Sequence, residues 1–264
     1  MNYKLDGRNI FIYGGYPKVD YSQECIALGG VFDLPKRKGT TEYNWGNSIE
    51  PFVDKEDIEL EGRTLTLKVC INARSPVDYL SKLDAYKSAC IVCRKLWTEF
   101  GEFDVVMKDA IEVDEFSSCN MAIITPKFWQ QNVLLPELTI NPSGYGNELL
   151  DNYSLSRDFG IYIASRKADK NVAKRIEINT TLPYTRTQYR EALNITLHCS
   201  MTGNDLRSLY IKIMQFQALC MRPGIRTLTL PGNDDSTLYF KDGITVKARL
   251  NTLLTFDLKC RVIT

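Results

Sequence analysis

The stretch VVMKDAIEV, Val105–Val113, is nearly restated as LYFKDGITV, Leu238–Val246, at an offset of 133 residues. Aligned without gaps, the two share Lys108/Lys241, Asp109/Asp242, Ile111/Ile244 and Val113/Val246. The pairs Val105/Leu238, Met107/Phe240 and Ala110/Gly243 are related in kind. Apolar residues alternate on either side of a Lys-Asp-small segment, a pattern that predicts a β-hairpin turning at Lys-Asp.

Matches continue upstream in the same order. LTLKV (Leu65–Val69) meets ITLHC (Ile195–Cys199) at offset 130, and both alternate as half-buried strands do. A helix start follows each. The first is Ser75-Pro76-Val77-Asp78, a Ser cap with Pro at the first helical position and an acid three residues after the cap. The second is Gly203-Asn204-Asp205, with Asn204 or Asp205 as cap. Apolar stripes at helical spacing come next: Leu80, Leu83, Tyr86, Cys90, Cys93 and Trp97 in one, and Leu206, Leu209, Ile213, Phe216 and Cys220 in the other. Pro223-Gly224 stops the second helix. IFIYG (Ile10–Gly14) resembles FGIYI (Phe159–Ile163), and Leu34-Pro35 resembles Leu182-Pro183.

These matches predict an α+β fold, mainly antiparallel, built of two repeated units with one helix each. Unit one is residues 1–126, with an insertion at about 41–57; unit two is residues 158–264. Residues 127–157, rich in Pro, Gly and Asn, are expected to be a connector. At 264 residues the chain accommodates two such units, each long enough to bury its own core.

Composition is that of an ordinary soluble globular protein, 44% apolar and 25% charged. The net charge of +1 leaves no footprint for nucleic acid or an anionic membrane. The opening MNYKLDGRNI is polar, and no window approaches the roughly 18 apolar residues of a membrane span. A soluble product made in the cytoplasm is the expectation. Of the eight cysteines, Cys70, Cys199 and Cys260 in strand patterns and Cys90, Cys93 and Cys220 in helix patterns fit a reducing compartment, where they act as small core residues. Cys90-Ile91-Val92-Cys93 has the CxxC form but no second ligand pair, so helix core is the expected role.

No P-loop, GxGxxG, HExxH or GxSxG pattern is present. Gly14-Gly15 and Gly29-Gly30 read as turns. Every Ser-His or Cys-His scheme would rest on His198, the single histidine, which alternates within a strand. The acidic pairs Glu56-Asp57 and Asp234-Asp235 sit among turn residues. The expectation is therefore no catalytic residue, no metal and no cofactor. The polar residues worth following are the repeated Lys108, Asp109, Lys241 and Asp242, either turn chemistry or a repeated contact between units. Beside them stand Tyr43, Trp45 and Phe52, with Ile49 and Pro51, in the insertion. Large rings in a loop tuck onto their own domain or dock on a partner.

The segment GGVFDLPKRKGTTEYNWGNSIEPFVDKEDIELEGRTLTLKVCINARSPVDYLSKLDAY resembles the front part of phage distal tail proteins. There a Pro- and basic-rich strand precedes a Gly- and acid-containing loop, then a strand like GRTLTLKV and a helix like DYLSKLDAY. The resemblance covers residues 28–115, and reaches the second half through the repeat. It implies tail-tube-like β-sandwich or barrel units without enzymatic activity. Such units form rings at the tail tip that join the tube to the baseplate or receptor-binding device. The usual member has a different C-terminal β domain. A second half that repeats the first brings this chain closer to tail-tube-like baseplate hub proteins.

The resemblance thus implies a virion tail protein, assembled in the host cytoplasm. Its partners would be its own copies, as a hexamer or pseudo-six-fold trimer, and the tube, hub and receptor-binding proteins. DNA would only pass through, and no membrane is involved. The other readings of the sequence are a non-catalytic β-rich ligand- or carbohydrate-binding module, sited on the insertion's aromatics, and an enzyme with an unrecognised site.

Overall fold

In the computed structural model the alternating stretches become the spines of antiparallel sheets; residues 3–19, 21, 24–45, 48–168, 174–177, 186–189, 193–232 and 235–263 are described. The class is α+β, mostly antiparallel β, with one long helix in each half. No described helix is long and apolar enough to cross a membrane.

The first half opens with a hairpin of β1 (Lys4–Leu5) and β2 (Arg8–Asn9). Asp6 and Gly7 turn it at positive φ, 46° and 82°. Next comes a 3-10 turn, Ile10–Tyr13, started by the Asn9 side chain accepting from Phe11 N–H. IFIYG is therefore a capped turn rather than a strand like the Ile161–Ile163 end of its match FGIYI, because a local side-chain bond satisfies the backbone first. Then come β3 (Gly15–Pro17), β4 (Leu28–Gly29), the hairpin β5 (Glu42–Asn44) and β6 (Ile49–Pro51), and β7 (Arg63–Leu67) with β8 (Val69–Asn72). α1 (Pro76–Val92) has Ser75 as cap, its Oγ accepting from Asp78 N–H. It buries Tyr79, Leu83, Tyr86 and Cys90, while Leu80 and Trp97 of the expected stripe are exposed.

β9 (Lys95–Thr98), β10 (Gly101–Asp104), β11 (Val106–Met107), β12 (Glu112–Phe116), β13 (Met121–Thr125) and β14 (Lys127–Gln130) complete this half. The strand orders are β12-β13-β8-β3, β11-β14-β7-β4 and β10-β9-β1-β2. β7 and β8 are one run broken at Lys68; β13 and β14 are one run broken at Pro126, which has no N–H to give the ladder.

Residues 131–148 carry no regular structure. The second half begins with β15 (Leu149–Leu150) and β16 (Tyr153–Ser154), turned by Asp151 and Asn152 at positive φ, 51° and 68°. α2 (Leu155–Asp158) is capped by Ser154, whose Oγ accepts from Arg157 N–H. β17 (Ile161–Ala168), the hairpin β18 (Lys174–Glu177) and β19 (Arg186–Tyr189), and β20 (Asn194–Thr202) lead to α3 (Leu206–Cys220). β21 (Arg226–Thr229), β22 (Ser236–Tyr239), β23 (Val246–Leu250) and β24 (Leu253–Val262) follow. The sheet order is β16-β15-β21-β22-β24-β20-β17, with β23 also on β24. The stretch expected as connector, 127–157, thus holds β14 at one end and β15–β16, paired to β21, at the other. The Leu182-Pro183 match lies outside the described residues.

The expected Lys-Asp hairpins do not form. Val106 faces Trp129 and Glu112 faces Thr125, so the seven residues 106–112 run against the five residues 125–129. Tyr239 faces Arg261 and Val246 faces Phe256, so the eight residues 239–246 run against the six residues 256–261 of β24. In both places the Lys-Asp segment is a two-residue excess looped out of a strand whose ends stay on one partner, an enlarged β-bulge. The alternation on both sides belongs to one interrupted strand, which period-two patterning cannot tell from a hairpin.

Other details are matched. Asp6 accepts from Arg94 and Lys95 N–H at 3.0 and 2.8 Å, and Asp151 accepts from Thr227 N–H at 2.8 Å. Gly14 and Gly160, at φ 68° and 72°, lie against the backbone oxygens of Asn72 and Thr202; an added Cβ would come within 2.9 and 2.8 Å of them.

Buried apolar residues of both halves form one cluster. α3 is buried on more than one side. Gln217 Nε2 donates to Phe32 O at 2.6 Å, and Tyr210 packs its ring against Phe32 and Phe100 at 5.9 and 5.3 Å.

Candidate interaction surfaces

Residues 25–37 belong to the first half by sequence but lie along the edge of 241–248, the stretch that leads into β23. Leu34 and Ile244 exchange backbone bonds of 2.9 and 2.8 Å, and Arg37 N–H donates to Lys241 O at 3.0 Å. Cys25 N–H donates to Ala248 O at 2.8 Å, and Asp33 Oδ1 accepts from Val246 N–H at 2.7 Å. Alternate residues Ile244, Val246 and Ala248 are thereby all closed off from solvent. Gly243 fits because it has no side chain: a Cβ there would stand 2.5 Å from Leu34 O.

The root of the β5–β6 hairpin is pinned to the second half by Glu42. Its carboxylate takes a two-pronged contact from Arg261, Nη2 at 2.7 Å and Nε at 3.0 Å. Lys241 Nζ stands at 3.2 Å, and the Tyr239 hydroxyl donates to the same carboxylate. Burial would raise the Glu42 carboxyl, but hydrogen bonds from Arg261 and Tyr239 and the charges of Arg261 and Lys241 outweigh it and hold it at about 2. Burial and the Glu42 bond together push the Tyr239 phenol up. Val53 O accepts from Gly224 N–H at 2.8 Å at the other strand's end.

Sequence reasoning chose Lys241 and missed Glu42, Tyr239 and Arg261. Their partners lie about 200 residues away, and no local pattern marks them. Of the apolar and aromatic residues in the insertion, Ile49 is buried and Phe52 half-buried. Tyr43 and Trp45 are 50% and 63% exposed, with ring centroids 4.4 Å apart and Trp45 Nε1 donating to Glu50 at 2.9 Å. Asp242 is exposed on the bulge.

Lys108 and Asp109 occupy the corresponding bulge of the first half, and both are exposed. Lys108 Nζ donates to Thr64 Oγ1 at 2.9 Å and stands 5.0 Å from the Trp129 ring centre. No described contact joins this bulge to the Lys241 group. Beside it, β10, β11, β14 and α3 border a cleft of about 660 Å³ that includes Arg63, Val106, Trp129 and Tyr210. Arg63 is buried there, held by Gln130 Oε1 at 2.8 Å and the carbonyl of Val31 at 2.7 Å.

His198 pairs across β20 and β24 with Asp257, Nδ1 to Oδ1 at 2.7 Å, on an exposed sheet face. No described hydrogen bond brings a hydroxyl or thiol to it. Cys90 and Cys93 are buried; burial raises both thiols, that of Cys90 to about 12 and that of Cys93 to about 11. Among the described residues no cluster of three or more His, Cys, Asp or Glu could hold a metal ion. The chain matches no protein-family model and no curated protein.

Proposed function

We propose that the chain is a structural tail protein of a phage or prophage, forming a ring at the tail tip between the tube and the baseplate or receptor-binding apparatus. In this reading the two halves are copies of one tail-tube-like unit, each a β-sandwich or barrel with a flanking helix. The carrying observation is the Lys-Asp bulge: two excess residues at the same point of the same strand in both halves, each beside one long broken or continuous partner. Duplicated units with exposed strand edges suit head-to-tail association, which closes as a ring when the rotation per unit divides the circle.

The test is the mass of the purified protein by native mass spectrometry, followed by negative-stain imaging. Three or six chains in an annulus are expected. A strict monomer at roughly 100 µM, far above the dissociation constant of a stable assembly, would count against the ring.

A second reading, a non-catalytic carbohydrate- or ligand-binding module, draws on the exposed Tyr43–Trp45 pair. A glycan screen whose hits vanish in Trp45→Ala would favour it.

A further inference from the structure

The two bulged strands differ in what lies on their outer edges. In the second half, β23 is covered by residues 25–34 of the first half, through backbone bonds or a carboxylate at Ile244, Val246 and Ala248. At offset 133 the corresponding positions of the first half are Ile111, Val113 and Glu115. β12 pairs with β13 on one side. Among the described residues no backbone bond reaches it from the other. Ile244, Val246 and Ala248 are 2%, 4% and 0% exposed. Ile111 and Val113 are only half-buried, Glu115 is exposed, and Phe116 at the end of β12 is 41% exposed. A strand edge with apolar residues beside it is a template for another chain.

We propose that the open edge of β12 is docked by the second half of another copy of this chain, as the edge of β23 is docked by the first half of its own. The inference rests on the reading of the two halves as copies of one unit. In the first half, the covering segment lies between β3 and β7 and ends in the β5–β6 hairpin. In the second half the matching place, between β17 and β20, holds the β18–β19 hairpin. Charge agrees with this choice of occupant. β12 reads EVDEF, with Asp109 just before it. The sequence leaving β17, RKADKNVAKR (166–175), has five Lys or Arg against one Asp. Opposite signs in the two stretches of sequence favour their encounter and disfavour pairing of like edges.

The first-half site is not an exact replica. Ala110 stands where Gly243 makes room for Leu34, so the incoming chain is set off from the bulge and its pairing concentrates on Ile111–Glu115. The contact is head to tail, since the β12 edge receives and the opposite half donates. Each added copy therefore leaves one β12 edge free until the assembly closes.

The experiment is sedimentation velocity and native mass spectrometry on the full chain and on Asp114→Lys/Glu115→Lys. Both positions are exposed, and circular dichroism checks that the fold is kept. Asp84→Lys, an exposed charge reversal on α1, controls for net charge. Val113→Lys, on the same edge, is the second variant. The expected result is that wild type and Asp84→Lys self-associate alike, while both β12 variants weaken association about tenfold or more, a change of about 1.4 kcal/mol. Assembly unchanged in both β12 variants would overturn this interface and leave the ring reading standing. A wild-type chain that stays monomeric at roughly 100 µM would overturn the interface and remove support for the ring as well.

Discussion

Glu42 shows how one side chain joins distant parts of the chain. It lies at the root of a surface hairpin, yet its carboxylate meets Arg261, Lys241 and Tyr239 of the second half. Hydrogen bonds to a charged group contribute more than neutral ones, so Glu42→Gln is expected to cost about 2 kcal/mol in chemical denaturation. The pH dependence has a definite sign. The folded carboxyl titrates at about 2, below its ordinary 4.5. Its contribution is therefore complete above pH 4.5 and is lost as pH falls from 4.5 toward 2. The gap in stability between wild type and Glu42→Gln should narrow across that window. A gap that stayed constant down to pH 2.5 would mean the charge is not what holds the hairpin. Sequence inspection could not have found this residue. Lys241 stood out because Lys108 repeats it, whereas Glu42 has meaning only through partners that folding brings to it.

At the scale of elements, the bulged strands separate what patterning conveys from what it does not. Alternation located β11, β12, β22 and β23, and cap chemistry located both long helices. The same alternation was misread as a pair of hairpins, because a hairpin and a bulged strand share period two and differ only in which strand each segment pairs with. Ile10–Tyr13 failed for another reason: the Asn9 side chain captures Phe11 N–H and turns the backbone before a ladder can form. The bulges themselves yield a sharp expectation. Gly243→Ala places a methyl against Leu34 O and should destabilise the protein by about 1–3 kcal/mol, measured by urea denaturation. Ala110→Gly, on the exposed first-half bulge, should change stability by less than about 1 kcal/mol. Equal effects at the two positions would show that the contact with Leu34 is not the constraint.

At the scale of the molecule, the two halves share a core. Gln217 reaches Phe32, Tyr210 stacks with Phe32 and Phe100, and the apolar cluster runs through both. Scanning calorimetry is expected to show one cooperative transition, with calorimetric and van't Hoff enthalpies equal. Two resolved transitions would mean that the halves melt independently. The recurrence of antiparallel strands around one long helix in each half was legible from the repeated words. Their interlocking was not, because repeats report ancestry of segments and are silent about which segment crosses over.

The pairing of Asp33 with Val246 also bears on how the protein is made. The two residues are 213 positions apart. At roughly 5–20 residues per second, a ribosome takes on the order of 10–40 s to travel between them. For that time the segment around Leu34, already synthesised, has no β23 to lie against. A nascent chain with a basic, apolar strand awaiting its mate is open to capture by a neighbour on the same message. A strand made more than 200 residues later is thus the one that completes this early segment.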